Sequence, residues 1–291
     1  MVRRACESTR SFAAKLRLAC LLGALSALAA LSACKKPQRH GPLLTPLKAQ
    51  SWLVELKVPG FGSAALAVPL GASTPRPIVI ALHGVADRPE WACATLRAIA
   101  GPEPFVLCPR GLQRTEFAAP AERYTFGTAD DTALELRAAL VELKRRFGQH
   151  VAPGPVVFVG FEIGADHAAA IARQEPAFFS RLLLIEPSLS SWPSSQSSLF
   201  GARGGQRVLF AVGPAHRAEL EEQAVLTGRG GAEARAVFLG DAPPSLGPSS
   251  RGLLAKHWRW LSAAARKSPT LDNLAGNALP AGGPVVGRPA P

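Results

Sequence analysis

The sequence of 291 residues has few of the features that mark several common protein classes. Its six histidines lie far apart and its five cysteines do not cluster, so we expect neither a metal site nor a bound cofactor. No internal repeat at a fixed period is visible, which excludes a repeat architecture. The N-terminal apolar run, residues 18–31, is too short for a settled transmembrane helix.

Acidic residues are also scarce. Lys and Arg number 33 against 21 Asp and Glu, which gives a formal net charge of +12. The basic residues are scattered without interleaved aromatics, so we do not expect a nucleic-acid partner. The hydrophobic content of 47% is enough for a sizeable core, and the chain length fits one α/β domain best.

The N-terminus has the three parts of a secretory signal. Five basic residues precede the apolar run, and Leu31-Ser32-Ala33-Cys34 follows it. Leu-Ser-Ala-Cys resembles a bacterial lipobox, which implies cleavage before Cys34 and diacylglycerol on its thiol. The alternative is a signal anchor that is not cleaved.

Cleavage would define residues 1–33 as the signal peptide and residues 34–50 as a tether. It removes five basic residues and one acidic residue, so the net charge falls from +12 to +8. Lys35, Lys36 and Arg39 would lie beside the lipid, where cations are attracted to anionic head groups. We therefore expect a membrane-anchored protein of the bacterial envelope, on the periplasmic face of a membrane.

Cysteine usage predicts one disulfide. Cys6 and Cys20 leave with the signal and Cys34 takes the lipid, so Cys93 and Cys108 remain. An even pair in an exported protein favours a disulfide between them. Two buried free thiols are the alternative.

Strand and helix patterns alternate along residues 51–267. Short β-prone runs around Pro59–Gly62 suggest a hairpin, and apolar runs at 76–84, 104–108, 156–159, 181–186, 206–213 and 234–239 are typical of buried strands. Helices are predicted at 91–100, 130–148 and 253–266, the second with a capping box of Thr132 and Glu135. Residues 187–198 are predicted to be a loop and residues 268–291 a disordered tail. The pattern predicts an α/β fold in three layers, a mostly parallel sheet with helices on both faces.

One of these strands leads through a glycine pair into an alanine-rich helix. Gly160 and Gly164 lie two residues before and two after Glu162, where a sharp turn leaves no room for a Cβ. This segment resembles the nucleophile elbow of α/β hydrolases, Gly-x-Ser-x-Gly, with Glu162 where the serine should stand. The resemblance covers roughly residues 52–266 and implies an esterase, lipase or depolymerase type of fold.

A second motif of that family follows the strand at 76–84. His83-Gly84 resembles the loop that supplies one oxyanion-hole amide, the other coming from the residue after the nucleophile. The resemblance implies backbone donors at Gly84 or Val85 and at Ile163.

The rest of the family's triad is altered. The loop after the last strand, residues 240–248, contains no histidine, and His216 lies about where an acid is often found. His216 could pair with Glu162, or it could be a surface loop histidine. Glu186 ends the strand after the elbow, where a few family members carry their acid.

These observations leave two hypotheses. The first is a monomeric, non-catalytic member of the fold that binds a small ligand or an envelope protein. The second is a carboxylic-ester hydrolase with an unconventional or displaced centre, since some relatives use an elbow aspartate as nucleophile. Glu162 is one methylene longer than aspartate, and a misplacement near 1 Å can cost on the order of 100-fold in rate.

Lipidation of Cys34 is directly testable. Protein extracted from membranes should have a mass that begins at Cys34 and includes acyl chains, and Cys34→Ala should lose that mass and the membrane association. An intact N-terminus through Met1 or Val2 would contradict the prediction.

Overall fold

Strands and helices alternate through the described part of the chain. The computed structural model describes residues 43–240 and 246–263. The strands in these ranges are β1 (Leu53–Leu56), β2 (Ala64–Ala67), β3 (Ile78–Leu82), β4 (Phe105–Cys108), β5 (Leu112–Gln113), β6 (Tyr124–Thr125), β7 (Val157–Phe161), β8 (Arg181–Ile185), β9 (Arg207–Val212) and β10 (Glu233–Phe238). The helices are α1 (Pro89–Ala100), α2 (Ala129–Phe147), α3 (Ile163–Gln174), α4 (Ser194–Ala202), α5 (Arg217–Arg229) and α6 (Pro248–Ser262).

Eight strands form one sheet in the order β1-β2-β4-β3-β7-β8-β9-β10. Strands β4, β3, β7, β8, β9 and β10 pair in parallel in that order, while the β1–β2 hairpin joins β4 in antiparallel fashion. Strands β5 and β6 form a separate two-stranded ribbon. The predicted hairpin and the mostly parallel sheet are confirmed.

The central strands bury side chains on both faces, which explains their continuous apolar sequence. On β3, Ile80 and Leu82 join one core with α2 and α3, while Val79 and Ala81 join a second core with α1 and α6. Helices therefore cover both faces of the sheet, and the predicted three-layer α/β fold is confirmed.

Helix α2 begins at Ala129, one residue before the predicted start at 130, but its cap is not the predicted one. Thr128 is the N-cap, and its hydroxyl oxygen accepts a hydrogen bond from the N–H of Asp131 at 3.1 Å. The predicted capping box of Thr132 and Glu135 is therefore wrong. Both residues lie inside the helix and are buried. The observed cap has the predicted sequence pattern four residues upstream. Thr128 takes the position expected for Thr132, and Asp131 takes that expected for Glu135.

The predicted loop at residues 187–198 is wrong in its second half, because α4 begins at Ser194. Trp192 is buried just before this helix and packs edge-on against Phe200, with 5.2 Å between ring centroids. The serine-rich segment is thus helical because of tertiary contacts at its two aromatic residues.

Part of the expected tether packs on the domain. The N–H of Leu44 donates to the carbonyl oxygen of Ser73 at 2.8 Å, and Leu47 is buried in the core. This contact lies near the amino end of β3, on the side of the sheet opposite the carboxyl ends of the parallel strands. The expected signal (residues 1–33), the first nine residues of the tether (34–42) and the tail (268–291) lie outside the described residues. Within the described ranges, no helix is long and apolar enough to cross a membrane.

The two remaining cysteines are at bonding distance. Cys93 on α1 and Cys108 at the end of β4 have their sulfurs 2.14 Å apart and their Cα atoms 5.9 Å apart. Both are fully buried. The bond would join α1 to the carboxyl end of β4.

Loss of this disulfide should destabilise the domain. A closed loop with a sequence separation of 15 is worth about 3 kcal/mol in the chain-entropy model, so Cys93→Ala/Cys108→Ala should lower the free energy of unfolding by about that amount. Urea unfolding of the exported protein, with and without reductant, measures it. Thiol labelling of the unfolded, unreduced protein is the control, and two reactive thiols there would contradict the disulfide.

Candidate functional site

Glu162 occupies a strained turn between β7 and α3. Its φ of 48° and ψ of −117° lie in a region that residues with a side chain rarely adopt. A Cβ at Gly160 would collide with the backbone of Gly164 and Ala165, and a Cβ at Gly164 would collide with the carbonyl oxygen of His83. The two glycines are therefore required by the close approach of α3 to β3 and β7. We call the turn Gly160–Gly164 the elbow.

Backbone hydrogen bonds hold the elbow in this conformation. The N–H of Glu162 donates to the carbonyl oxygen of Ile185 at 2.9 Å, which extends the pairing of β7 with β8 by one residue. The carbonyl oxygen of Glu162 accepts from Ala165 at 2.8 Å and from Asp166 at 3.1 Å, the first bonds of α3. With its main chain fixed, Glu162 projects its side chain from the carboxyl edge of the sheet.

The Glu162 carboxylate lies against the loop that follows β3. The N–H of Val85 donates to its Oε2 at 3.3 Å, and a Cβ on Gly84 would lie only 2.8 Å from the same oxygen. Because Gly84 has no side chain, there is room for the Glu162 carboxylate against this loop. No hydrogen bond joins the N–H of Ile163 to this carboxylate in the described structure.

The elbow lies between β3 and β7, where the strand order of the sheet reverses. The chain passes from β3 through α1 to β4 on one side, and from β7 through α3 to β8 on the other. Crevices at such points, outside the carboxyl ends of parallel strands, are the usual ligand sites of open α/β sheets. We call the surface between the N–H groups of Val85 and Ile163, at the carboxyl ends of β3 and β7, the elbow crevice. Backbone N–H groups and the N-terminus of α3 favour an anion there.

No hydrogen bond joins His216 to Glu162 in the described part of the chain. His216 ends a short 3₁₀ turn after β9, is exposed, and makes no hydrogen bond or ion pair with a described residue. Glu186 follows β8 with a φ of 51°, but its Oε1 accepts from the N–H of Gly213 at 2.7 Å and so faces the loop after β9.

His83 and His150 contact backbone carbonyl oxygens. His83 is fully buried, with Nδ1 2.9 Å from the carbonyl oxygen of Gly84 and Nε2 2.9 Å from that of Arg110. His150 contacts the carbonyl oxygen of Thr45, and His257 lies on α6. Among the residues that the structure describes, no histidine is hydrogen-bonded to Glu162.

Asp166 and His167, adjacent on α3, point to different partners. Oδ1 of Asp166 accepts from the N–H of Ser188 at 2.8 Å, whereas Nδ1 of His167 lies 2.9 Å from the hydroxyl of Thr132. Since the Thr132 hydroxyl donates to the carbonyl oxygen of Thr128, His167 is the donor to Thr132. Burial lowers the pKa of His167, with the Asp166 carboxylate opposing the shift.

Glu135 is a functional candidate that sequence analysis assigned to a helix cap. It is buried on α2, and its carboxylate accepts from the N–H of Arg110 at 2.8 Å and from the N–H of Gly111 at 3.1 Å. Burial raises the pKa of the Glu135 carboxyl, while these two N–H groups oppose the shift. The only sequence signal was a glutamate on the apolar face of a helix.

No protein-family model matches the chain, and no curated protein matches it. Solved structures do match. The crystal structure of TT1662 from Thermus thermophilus is 20% identical with a TM-score of 0.50, and the match covers 73% of this chain and 98% of that one.

Two mutants of esterase rPPE are 14% and 15% identical with TM-scores of 0.53, covering 77% and 76% of this chain and 86% of each of theirs. Identities this low establish the fold alone. Together with the strand order and the elbow, they establish that the chain has the α/β-hydrolase fold.

Proposed function

We propose that this chain is a lipid-anchored protein of the bacterial envelope that has lost serine-hydrolase activity and acts by binding at the elbow crevice. The observation that carries the proposal is the position of Glu162, whose carboxylate accepts the Val85 N–H from the strained elbow. In the fold that this chain shares, that N–H is expected to bind the oxygen of an acyl group. Glu162 therefore fills part of the oxyanion position itself.

The missing proton acceptor supports the same proposal. Acyl transfer by this fold needs a histidine that takes the proton of the nucleophile. No described histidine is bonded to Glu162, and residues 240–248 contain none. A carboxylate that attacked carbon here would form an ester with no histidine-activated water to release it.

The N–H of Ile163 indicates which kind of ligand the crevice would bind. It makes no hydrogen bond to Glu162 and lies at the start of α3, whose N-terminus attracts negative charge. A small carboxylate or a carbonyl oxygen suits that position. The resident carboxylate opposes the anion, so the affinity of the crevice for anions depends on residue 162.

A second candidate function is a carboxylic-ester hydrolase with an unconventional centre. The elbow favours it, because Glu162 keeps a conformation that costs about 1–3 kcal/mol. Both elbow glycines are retained as well. Their backbone contacts with β3 also require them for packing alone, so we give this function second place.

Removal of the Glu162 carboxylate should open the crevice to anions. Acetate should bind Glu162→Ala at least about tenfold more tightly than wild type, because a like charge a few ångströms away is removed. The amide resonance of Val85 should move during an acetate titration followed by NMR. Glu186→Ala is the matched control, since Glu186 has a similar φ but faces Gly213, and it should leave the acetate affinity unchanged. Equal acetate affinity in wild type and Glu162→Ala would refute the occupied oxyanion position.

Ester hydrolysis separates the two candidate functions. Wild type and Glu162→Ser should both release p-nitrophenol from short acyl esters at the background rate, since no histidine among the described residues is hydrogen-bonded to residue 162. Turnover by wild type that Glu162→Ala abolishes would overturn the binding function and favour the hydrolase. The acetate titration reports on the crevice independently of this result.

A further inference from the structure

A second pocket, separate from the elbow crevice, lies beside the N-terminal turns of α2. We call it the side pocket. Its volume is about 380 Å³, within the range of roughly 300–1,000 Å³ that small-molecule sites occupy. Its walls are apolar side chains from the β1–β2 turn, from β5 and from the residue after β6, and its polar lining comes from α2: Phe61, Leu112, Phe126, Asp131, Thr132 and Glu135.

The lining is acidic and contains no basic side chain. None of the ten residues that line the side pocket, all of them described, is Lys, Arg or His, although basic residues outnumber acidic ones in the whole chain. Asp131 and Glu135 supply its two carboxyl groups. Their field attracts a positively charged molecule and repels the anions expected at the elbow crevice.

Glu135 lies buried in this pocket, where two backbone N–H groups and, at longer range, the charges of His83 and Arg110 stabilise its carboxylate. Its residue surface is only 5% exposed, and no described Lys, Arg or His nitrogen lies within 4.0 Å of its oxygens. The backbone N–H groups of Arg110 and Gly111 are its hydrogen-bond donors. A buried carboxyl whose pKa is raised, at the base of a pocket, is a recognised mark of a binding site.

The apolar walls define the rest of the ligand. Phe61 is 41% exposed and Leu112 is 60% exposed, so a ligand would cover apolar surface at the rim. Phe126 is buried and adds a second aromatic ring. Aromatic rings attract organic cations, above all alkylated ammonium groups. The described residues contain no group of three His, Cys, Asp or Glu that could hold a metal ion, which favours an organic cation over a metal.

We propose that the side pocket binds an alkylated ammonium compound, with the cationic head between Asp131 and Glu135 and the apolar part against Phe61, Leu112 and Phe126. The site is distinct from the elbow crevice and does not rest on the function proposed there. It would give the protein two sites of opposite preference, one for anions and one for cations.

Choline and its neutral carbon isostere, 3,3-dimethylbutan-1-ol, test the proposal. Both have the same shape, and choline keeps its charge at every pH. Choline should bind the wild-type domain at least about tenfold more tightly than the isostere, because only choline interacts with the carboxylates. NMR titration should locate binding through the amides of Gly111 and Gly127. Equal affinities, or no choline binding, would overturn the proposal.

Substitutions identify the groups responsible. Glu135→Gln should weaken choline binding by about tenfold or more and leave the isostere unaffected. Glu219→Gln, the same charge change on exposed α5, is the matched control and should have no effect. Phe61→Ala, at an exposed turn, should weaken choline by about two- to fivefold through loss of one aromatic ring. If Glu135→Gln does not fold, Asp131→Asn with Phe61→Ala takes its place, and unchanged choline affinity in that pair would refute the site.

Discussion

The close approach of three backbone segments at the elbow controls the rest of the site. Helix α3 begins directly against the carboxyl ends of β3 and β7, and neither Gly160 nor Gly164 has space for a Cβ. At this approach residue 162 has a positive φ. The strain is offset by hydrogen bonds with β8 and α3, and it aims one side chain at the loop after β3. Whatever residue stands at position 162 therefore faces Val85.

The fold could be predicted where burial leaves a local pattern. Parallel strands covered on both faces have continuous apolar sequences, and β3, β7, β8 and β9 are all visible in this way. Helix α4 could not be predicted, because few of its residues are apolar. It is anchored by Trp192 and Phe200 and by a hydrogen bond from the Trp192 indole to Thr227 at 3.0 Å, a contact between residues 35 apart.

Site residues could likewise be predicted where the requirement is local in sequence, and not where it depends on tertiary contacts. The spacing of two glycines around Glu162 predicted the turn, since the requirement for glycine is local. The position of Glu135 depends on a loop 24 and 25 residues away in sequence, and its pattern with Thr132 is indistinguishable from the cap that Thr128 forms with Asp131. Nor could the sequence indicate that His216 makes no hydrogen bond to Glu162, because that depends on how the loop after β9 turns into α5.

Three glutamates at the carboxyl edge of the sheet make the same interaction. Glu135 accepts N–H groups of the loop after β4, Glu186 accepts one from the loop after β9, and Glu162 accepts one from the loop after β3. Under the proposed function the interaction of Glu162 has a chemical consequence, because its donor, the Val85 N–H, is the amide expected to bind a substrate oxygen. A serine side chain ends two bonds nearer the backbone and would leave the Val85 N–H to the substrate. Under the proposed function, the Val85 N–H therefore holds the Glu162 side chain against the loop after β3 instead of binding a substrate, while the elbow itself is maintained by backbone packing at Gly160 and Gly164.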